Sequence, residues 1–294
     1  MSDGAAAPRS VPAGWPDDLG PRDLVLLGHP VSHSRSPAIH TAALGTMGLD
    51  LRYRALDVPP AALYEALALL DDAGVGGANV TVPHKRAVMP ACDRLTDEAR
   101  LVGAVNTLTW ERDGVRALEG HNTDAVGLER ALAGDVGTLT GARAVLVGTG
   151  GAARAAAVAL TRAGARVTVA GRRADAAAEL AELVAELGGP TDVVDLADDE
   201  LLAARVAEAR IVVNATTLGM HGEHLPAPCE TLGAGQMAYD LVYGEETPFL
   251  TAARAGGASA HGGLGMLVHQ AAASLERWTG RAAPVGVMRG AADA

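Results

Sequence analysis

Aromatic residues are nearly missing from this sequence: they make up 3%, against 49% apolar residues in all. Any core must therefore be built of Ala, Val and Leu, which suits stacked α/β layers. Cysteine is as scarce. Cys92 and Cys229 stand without metal-ligand spacing, which fits two reduced thiols better than a disulfide or a zinc site. No metal is expected. No apolar run approaches the roughly 20 residues that span a bilayer, and the start has no basic segment followed by an apolar one. A cytoplasmic protein is expected. The formal charge of -11 would repel nucleic acid and anionic membrane over a wide surface, so neither is an expected partner. A small anionic metabolite is still admissible, because local donors decide its binding.

Lysine occurs once in 294 residues, at Lys85, and asparagine four times, at Asn79, Asn106, Asn122 and Asn214. In a chain that uses Arg for its other cations, a single retained Lys suggests work that a guanidinium cannot do. An ammonium can give up its proton when its surroundings lower its pKa, whereas a guanidinium stays charged. A chance surface Lys is the plain alternative, and its neighbours decide between the two.

What is present is an alternation of apolar runs and amphipathic stretches. Residues 1–21 mix Pro, Gly, Ser and Ala without periodicity and read as a disordered leader. Strands are expected at Leu24 to Gly28, Tyr53 to Val58 and Gly77 to Val82, with helices from Pro37 and from Pro60 to Asp72. A hairpin is expected from Thr107 to Leu118, turning at Asp113-Gly114. A helix near Thr123 then leads to strands at Ala144 to Val147, Arg166 to Ala170 and Ile211 to Asn214, the order of a doubly wound nucleotide-binding sheet. A last amphipathic helix, Leu264 to Trp278, has the spacing to pack back on the first half. The fold class is thus α/β, with two domains: 22–125 together with 265–294, and 126–264.

Gly148-Thr149-Gly150-Gly151-Ala152 follows a strand and opens a helix, where the backbone must turn sharply and approach a pyrophosphate. About 20 residues further on, an NAD site places an acid for the ribose 2'-hydroxyl. Here Gly171-Arg172-Arg173 stands instead. Two guanidiniums at a helix start oppose the helix dipole and call for an anion, so NADP is the expected cofactor.

In the first half, Ser32-His33-Ser34-Arg35-Ser36-Pro37 packs three hydroxyls ahead of a helix, more than capping needs. Asn79 to Lys85, Gly103 to Thr107 and Asn122-Thr123-Asp124 gather three of the four Asn residues, the Lys and an Asp at strand ends and loops, where binding groups are displayed. Turn chemistry explains any one of these Asn residues, but less well all of them together.

These segments, with Asn214-Ala215-Thr216 and Gly263-Leu264-Gly265-Met266-Leu267, resemble the shikimate dehydrogenase family, in the family's order, from Gly28 to about Trp278. The resemblance implies reversible NADP-dependent reduction of 3-dehydroshikimate to shikimate, in the biosynthesis of aromatic amino acids, by a monomer or homodimer. It implies a substrate-binding and catalytic domain followed by a Rossmann-type NADP-binding domain. Lys85 and Asp124 are then the catalytic pair, and Asp124 also binds substrate with Ser34, Ser36, Thr81, Asn106, Tyr243 and Gln270. Gly148, Thr149, Gly150, Gly151, Ala152, Arg172, Arg173, Leu241 and Gly263 contact NADP, with Asp97 a further candidate. The sequence departs from the family pattern at Thr149, Gly262 and Ala176, where Ala, Asp and Arg are usual.

Three other readings stay open. A quinate or aminoshikimate dehydrogenase shares almost every motif. A methylenetetrahydrofolate dehydrogenase has a similar two-domain plan but no use for the Ser cluster. A non-catalytic NADP-sensing module needs the glycine turn, yet has no use for Lys85 beside Asp124.

Overall fold

The structure is a computed structural model, and it describes residues 15–112, 117–244 and 246–294. The first half contains β1 (Asp23–Gly28), α1 (Ser36–Met47), β2 (Arg52–Asp57), α2 (Leu63–Ala73), β3 (Gly77–Val80) and the single turn α3 (His84–Ala87). It continues through β4 (Arg94–Leu95), α4 (Asp97–Val102), β5 (Thr107–Glu111), β6 (Ala117–His121) and α5 (Asp124–Asp135). The six strands join in the order β2-β1-β3-β5-β6-β4, and β5 alone runs against its neighbours. Alternate side chains serve opposite faces. Val25 and Leu27 face the core under α2, whereas Leu24 and Leu26 face the helices on the other side.

The second sheet is wholly parallel. It comprises β7 (Arg143–Val147), α6 (Gly151–Arg162), β8 (Arg166–Gly171), α7 (Ala174–Glu186), β9 (Thr191–Asp195), α8 (Asp199–Glu208) and β10 (Ile211–Asn214). It closes with β11 (Met237–Asp240), α9 (Pro248–Ala255) and β12 (Ser259–His261). The order β9-β8-β7-β10-β11-β12 winds outward in both directions from β7, the doubly wound arrangement. Its core is made of small residues: Ala153, Ala155, Ala156, Ala157, Val158 and Ala159 of α6 are all fully buried. Short side chains let that helix lie close on the sheet, which is how a chain poor in aromatics fills its interior.

Helix α10 (Leu264–Thr279) runs back over the first sheet, followed by α11 (Val285–Asp293). Leu267, Val268, Ala271, Ala272 and Leu275 join Leu24, Leu26 and Ile39 in one core. Two glycines allow the approach: a Cβ on Gly127 of α5 would lie 2.7 to 3.0 Å from Gln270 Cβ, N and Cα, and one on Gly77 2.3 Å from the Trp278 ring. Helices α5 and α10 thus pass side by side between the two sheets.

Residues 15–21 correct the leader expected from sequence. Trp15 and Leu19 pack on the first sheet's core, and Asp18 accepts from Arg54 at 2.6 and 2.8 Å and from Arg52 at 3.0 Å. Their Pro and Gly neighbours hid two apolar anchors. Residues 1–14 and the Asp113-Gly114 turn lie outside the described residues. Strand pairing of β3 stops at Val80, not Val82, because the next carbonyl, Thr81 O, turns to accept from His84 N at 2.8 Å.

Two buried histidines predict how stability depends on pH. His40, fully buried, stacks on Tyr53 with ring centroids 4.1 Å apart. Burial lowers its pKa to about 3, and burial followed by the Arg277 charge lowers that of His121 to about 4. In the unfolded chain each titrates near 6.5. As pH falls below that value the unfolded chain takes up protons that the folded chain refuses, so stability is full above pH 7 and is lost on the way to pH 4. The slope should approach two protons, about 2.7 kcal/mol per pH unit. A calorimetric Tm that stayed level from pH 7.5 to 4.5 would contradict this.

Candidate active site

Both sheets present the carboxyl ends of their parallel strands to one cleft, where open α/β sheets bind ligands. In the first sheet, Ser34 and Ser36 follow β1, Thr81 and Lys85 follow β3, and Asp124 follows β6. Asn106 precedes β5, and because that strand is antiparallel its start lies at the same edge. In the second sheet the glycine turn follows β7, Arg172 and Arg173 follow β8, and Leu241 and Tyr243 follow β11.

Lys85 Nζ donates to Asp124 Oδ2 at 2.6 Å. The Lys side chain keeps 18% of its exposure and the Asp side chain 4%, so the ammonium reaches the cleft while the carboxylate stands behind it. Asp124 is also the first residue of α5, where the helix dipole favours a negative charge. Its other oxygen, Oδ1, accepts from Asn106 Nδ2 at 2.9 Å. Both carboxylate oxygens are thereby engaged, while an ammonium with three hydrogens has two left for a ligand.

A buried hydroxyl and amide network fixes Asn106. Its Nδ2 donates to Thr123 Oγ1 at 2.9 Å and its Oδ1 accepts from Thr123 N at 2.8 Å. Gln270 Oε1 lies 3.4 Å from the same Nδ2. Behind it, Asn79 Nδ2 donates to Ser274 Oγ at 2.9 Å, Thr107 Oγ1 sits 2.8 Å from that oxygen, and Tyr53 OH donates to Asn79 Oδ1 at 2.8 Å. Ser274 and Tyr53 were not singled out in the sequence. A Ser in the apolar stripe of α10 was the available signal.

Ser34 Oγ accepts from Ser36 N at 3.2 Å, and two phenols, those of Tyr53 and Tyr243, pack in the core beside α1. Burial raises the pKa of both phenols, so they stay neutral donors. Tyr243 also packs on the core of the first sheet although its chain follows β11 of the second. Thr81 stands against the end of β1: a Cβ on Gly28 would lie 2.3 Å from its Cγ2.

The glycine turn faces the catalytic candidates. A Cβ on Gly151 would lie 3.8 Å from Lys85 Cβ and Cδ and 3.7 Å from Ala104 Cβ. Gly148 has φ +117, and a Cβ there would lie 2.9 Å from Ala215 O, so that position needs glycine. Gly150 has open space around it, and the start of α6 has no side-chain cap. Uncapped helix amides beside an unobstructed turn suit a pyrophosphate. Arg173 Nη2 donates to Thr149 Oγ1 at 3.4 Å, and Arg172 is exposed next to it. A Cβ on Gly263 would lie 2.3 Å from Leu241 O, so those two candidates share one ledge. Asp97 differs from the rest: its side chain is fully exposed and pairs with Arg100 at 2.8 Å, which needs no cofactor. Among the described residues no group of His, Cys, Asp and Glu can hold a metal ion, and no helix is long and apolar enough to cross a membrane.

Three family models match this chain: the shikimate dehydrogenase substrate binding domain over residues 26–108, shikimate / quinate 5-dehydrogenase over 131–220, and the shikimate 5'-dehydrogenase C-terminal domain over 263–292. The NADP(+) shikimate dehydrogenase of Moorella thermoacetica is 46% identical over 271 residues, covering 90% of each chain. Among solved structures, a shikimate dehydrogenase in complex with NADP+ has a TM-score of 0.83 and 34% identity, covering 92% of this chain and 94% of the other. The Thermus thermophilus enzyme in complex with NADP(H) and shikimate has a TM-score of 0.81 and 38% identity, covering 92% and 98%.

Proposed function

Because the chain belongs to the shikimate dehydrogenase family, we infer that it reduces 3-dehydroshikimate to shikimate with NADPH, reversibly, as a step of aromatic amino acid biosynthesis. It is an NADP-dependent oxidoreductase acting on a CH–OH group. The observation that carries this reading is the Lys85–Asp124 pair, 2.6 Å apart, set against the glycine turn of the other sheet.

The cofactor, when bound, supplies the hydride. Gly148, Thr149, Gly150, Gly151 and Ala152 would hold its pyrophosphate, Arg172 and Arg173 its 2'-phosphate, and Leu241 with Gly263 its nicotinamide end. Lys85 holds a proton, and in any case a positive charge, at the ketone oxygen as that oxygen becomes anionic, which lowers the barrier. Asp124 orients the ammonium and accepts a hydrogen bond from a ring hydroxyl. Asn106, Thr81 and Gln270 hold other hydroxyls, while Ser34, Ser36 and Tyr243 donate to the carboxylate. An ammonium takes the electrophilic role, so this chemistry is complete without a metal.

In this assignment 22–125 and 265–294 form the substrate-binding and catalytic domain, and 126–264 the NADP-binding domain. We infer that the chain works as a monomer or a homodimer. A biosynthetic enzyme fed by NADPH belongs in the cytoplasm. The test is a spectrophotometric assay of shikimate with NADP+, repeated with quinate, with aminoshikimate and with NAD+. Shikimate with NADP+ should give the highest kcat/KM. A higher value for quinate or aminoshikimate would move the chain to that activity, and NADPH binding with no turnover of any alcohol would make it a sensing module.

A further inference from the structure

The carboxyl group of Asp240 is fully buried at the end of β11 and, among the described residues, has no ion-pair partner. Burial raises its pKa. Such a group is costly unless its hydrogen bonds are complete, and here they are. Oδ1 accepts from Asn214 Nδ2 and from Val242 N, both at 2.9 Å, and Oδ2 accepts from Thr247 Oγ1 at 2.6 Å.

Each partner leads to a part of the cleft. Asn214 ends β10, and its Oδ1 accepts from Thr216 N at 3.0 Å and Thr216 Oγ1 at 2.7 Å. Thr216 backs the glycine turn: a Cβ on Gly148 would lie 3.0 Å from its Cγ2. Thr247 is the N-cap of α9, accepting from Leu250 N at 3.4 Å. Val242 lies between Leu241 and Tyr243. Leu241 N donates to Asn214 O at 2.9 Å, and Val242 O accepts from Gly263 N at 3.0 Å. The short strap 241–243 is therefore held from below by Asp240 and from the side by Gly263, and its far end carries Tyr243 across to the core of the first sheet.

We propose that Asp240 is a positioning residue of the reaction: by gripping Val242 N, Asn214 and Thr247 together it sets the height at which Tyr243 crosses to the core of the first sheet. It touches neither substrate nor cofactor and acts through Tyr243. The proposal rests on the dehydrogenase reading above, so wild-type turnover of shikimate is measured first in the same assay. Absence of that turnover counts against the reading, and only comparisons among variants count against Asp240.

The experiment is a double-mutant cycle between residues 240 and 243, read as KM for shikimate, KM for NADP+ and kcat. Asp240→Ala is expected to raise KM for shikimate about ten-fold, with KM for NADP+ and kcat changing much less. Asp240→Asn should restore the wild-type KM, because its amide oxygen accepts the same two bonds and its NH2 meets a Thr247 hydroxyl turned to accept. Asp240→Ala with Tyr243→Phe should bind shikimate no more weakly than Tyr243→Phe alone. Losses that multiply in the double variant would overturn the proposal, as would an unchanged shikimate KM in Asp240→Ala. If Asp240→Ala does not fold, Thr247→Val removes one of the three bonds and is judged by the same two criteria.

Discussion

Lys85→Met should lower kcat for shikimate oxidation about a thousand-fold while shikimate still binds within a few-fold of wild type. Met keeps the length and most of the volume of Lys but has no charge and no proton. What is lost is the group that faces an oxygen whose charge changes during hydride transfer, an interaction stronger in the transition state than before it. Binding depends instead on residues that the substitution leaves alone, Ser34, Ser36, Asn106 and Tyr243. The variant also strands Asp124, a carboxylate whose side chain is 4% exposed, with Asn106 Nδ2 at 2.9 Å as its remaining side-chain donor. That should cost about 1–3 kcal/mol of stability. A second variant separates the two effects: Lys85→Met with Asp124→Asn removes the stranded charge, so its Tm should recover while its kcat stays low. A single variant with kcat within ten-fold of wild type would remove Lys85 from the chemistry.

How much of this site can be read in the linear chain depends on what kind of signal each residue leaves. Lys85 stands out because the chain uses no other lysine, and the glycine turn because three glycines in four residues join a strand to a helix. Both signals are local. Ser274 leaves only a faint one, and Asp240 leaves none. Ser274 sits on an apolar helix face, where a small hydroxyl reads as tolerated filler, and it matters only because α10 lies over β5 and places it 2.8 Å from Thr107 Oγ1. Asp240 ends an apolar strand and reads as a turn residue until the register pairs it with Asn214. The fold followed the same division. Alternating strands and helices declared both sheets, whereas the two-residue β4 and the anchors Trp15 and Leu19 are too short or too isolated to have a period. Tyr243 is the extreme case: its chain belongs to the second sheet and its side chain packs in the core of the first, a crossing that depends on the whole tertiary arrangement.

Replacing Arg172 and Arg173 by Ala should cut the preference for NADP+ over NAD+ about a hundred-fold, roughly ten-fold for each guanidinium, since a hydrogen bond to a charged group contributes about 1.5–3 kcal/mol. The two positions are not equivalent. Arg173 is tied to the glycine turn through Thr149 Oγ1 at 3.4 Å, and a Cβ on Gly171 would lie 2.7 Å from Thr149 Cγ2, so turn and Arg-bearing loop are in contact. Among the described residues Arg172 has no such tether. Arg173→Ala should therefore weaken NADP+ binding more than Arg172→Ala, because an already oriented donor loses less side-chain freedom on meeting a phosphate. Both side chains are exposed, so salt provides an independent check. Raising ionic strength should weaken NADP+ binding to the wild type more steeply than to the double variant, and should leave NAD+ binding nearly level in both. The decisive quantity is the ratio of kcat/KM for the two cofactors, since a general loss of stability would lower both values together and leave the ratio unmoved. An unchanged ratio in the double variant would mean that the 2'-phosphate is held elsewhere, and that the pair of cations is only the solvated start of α7.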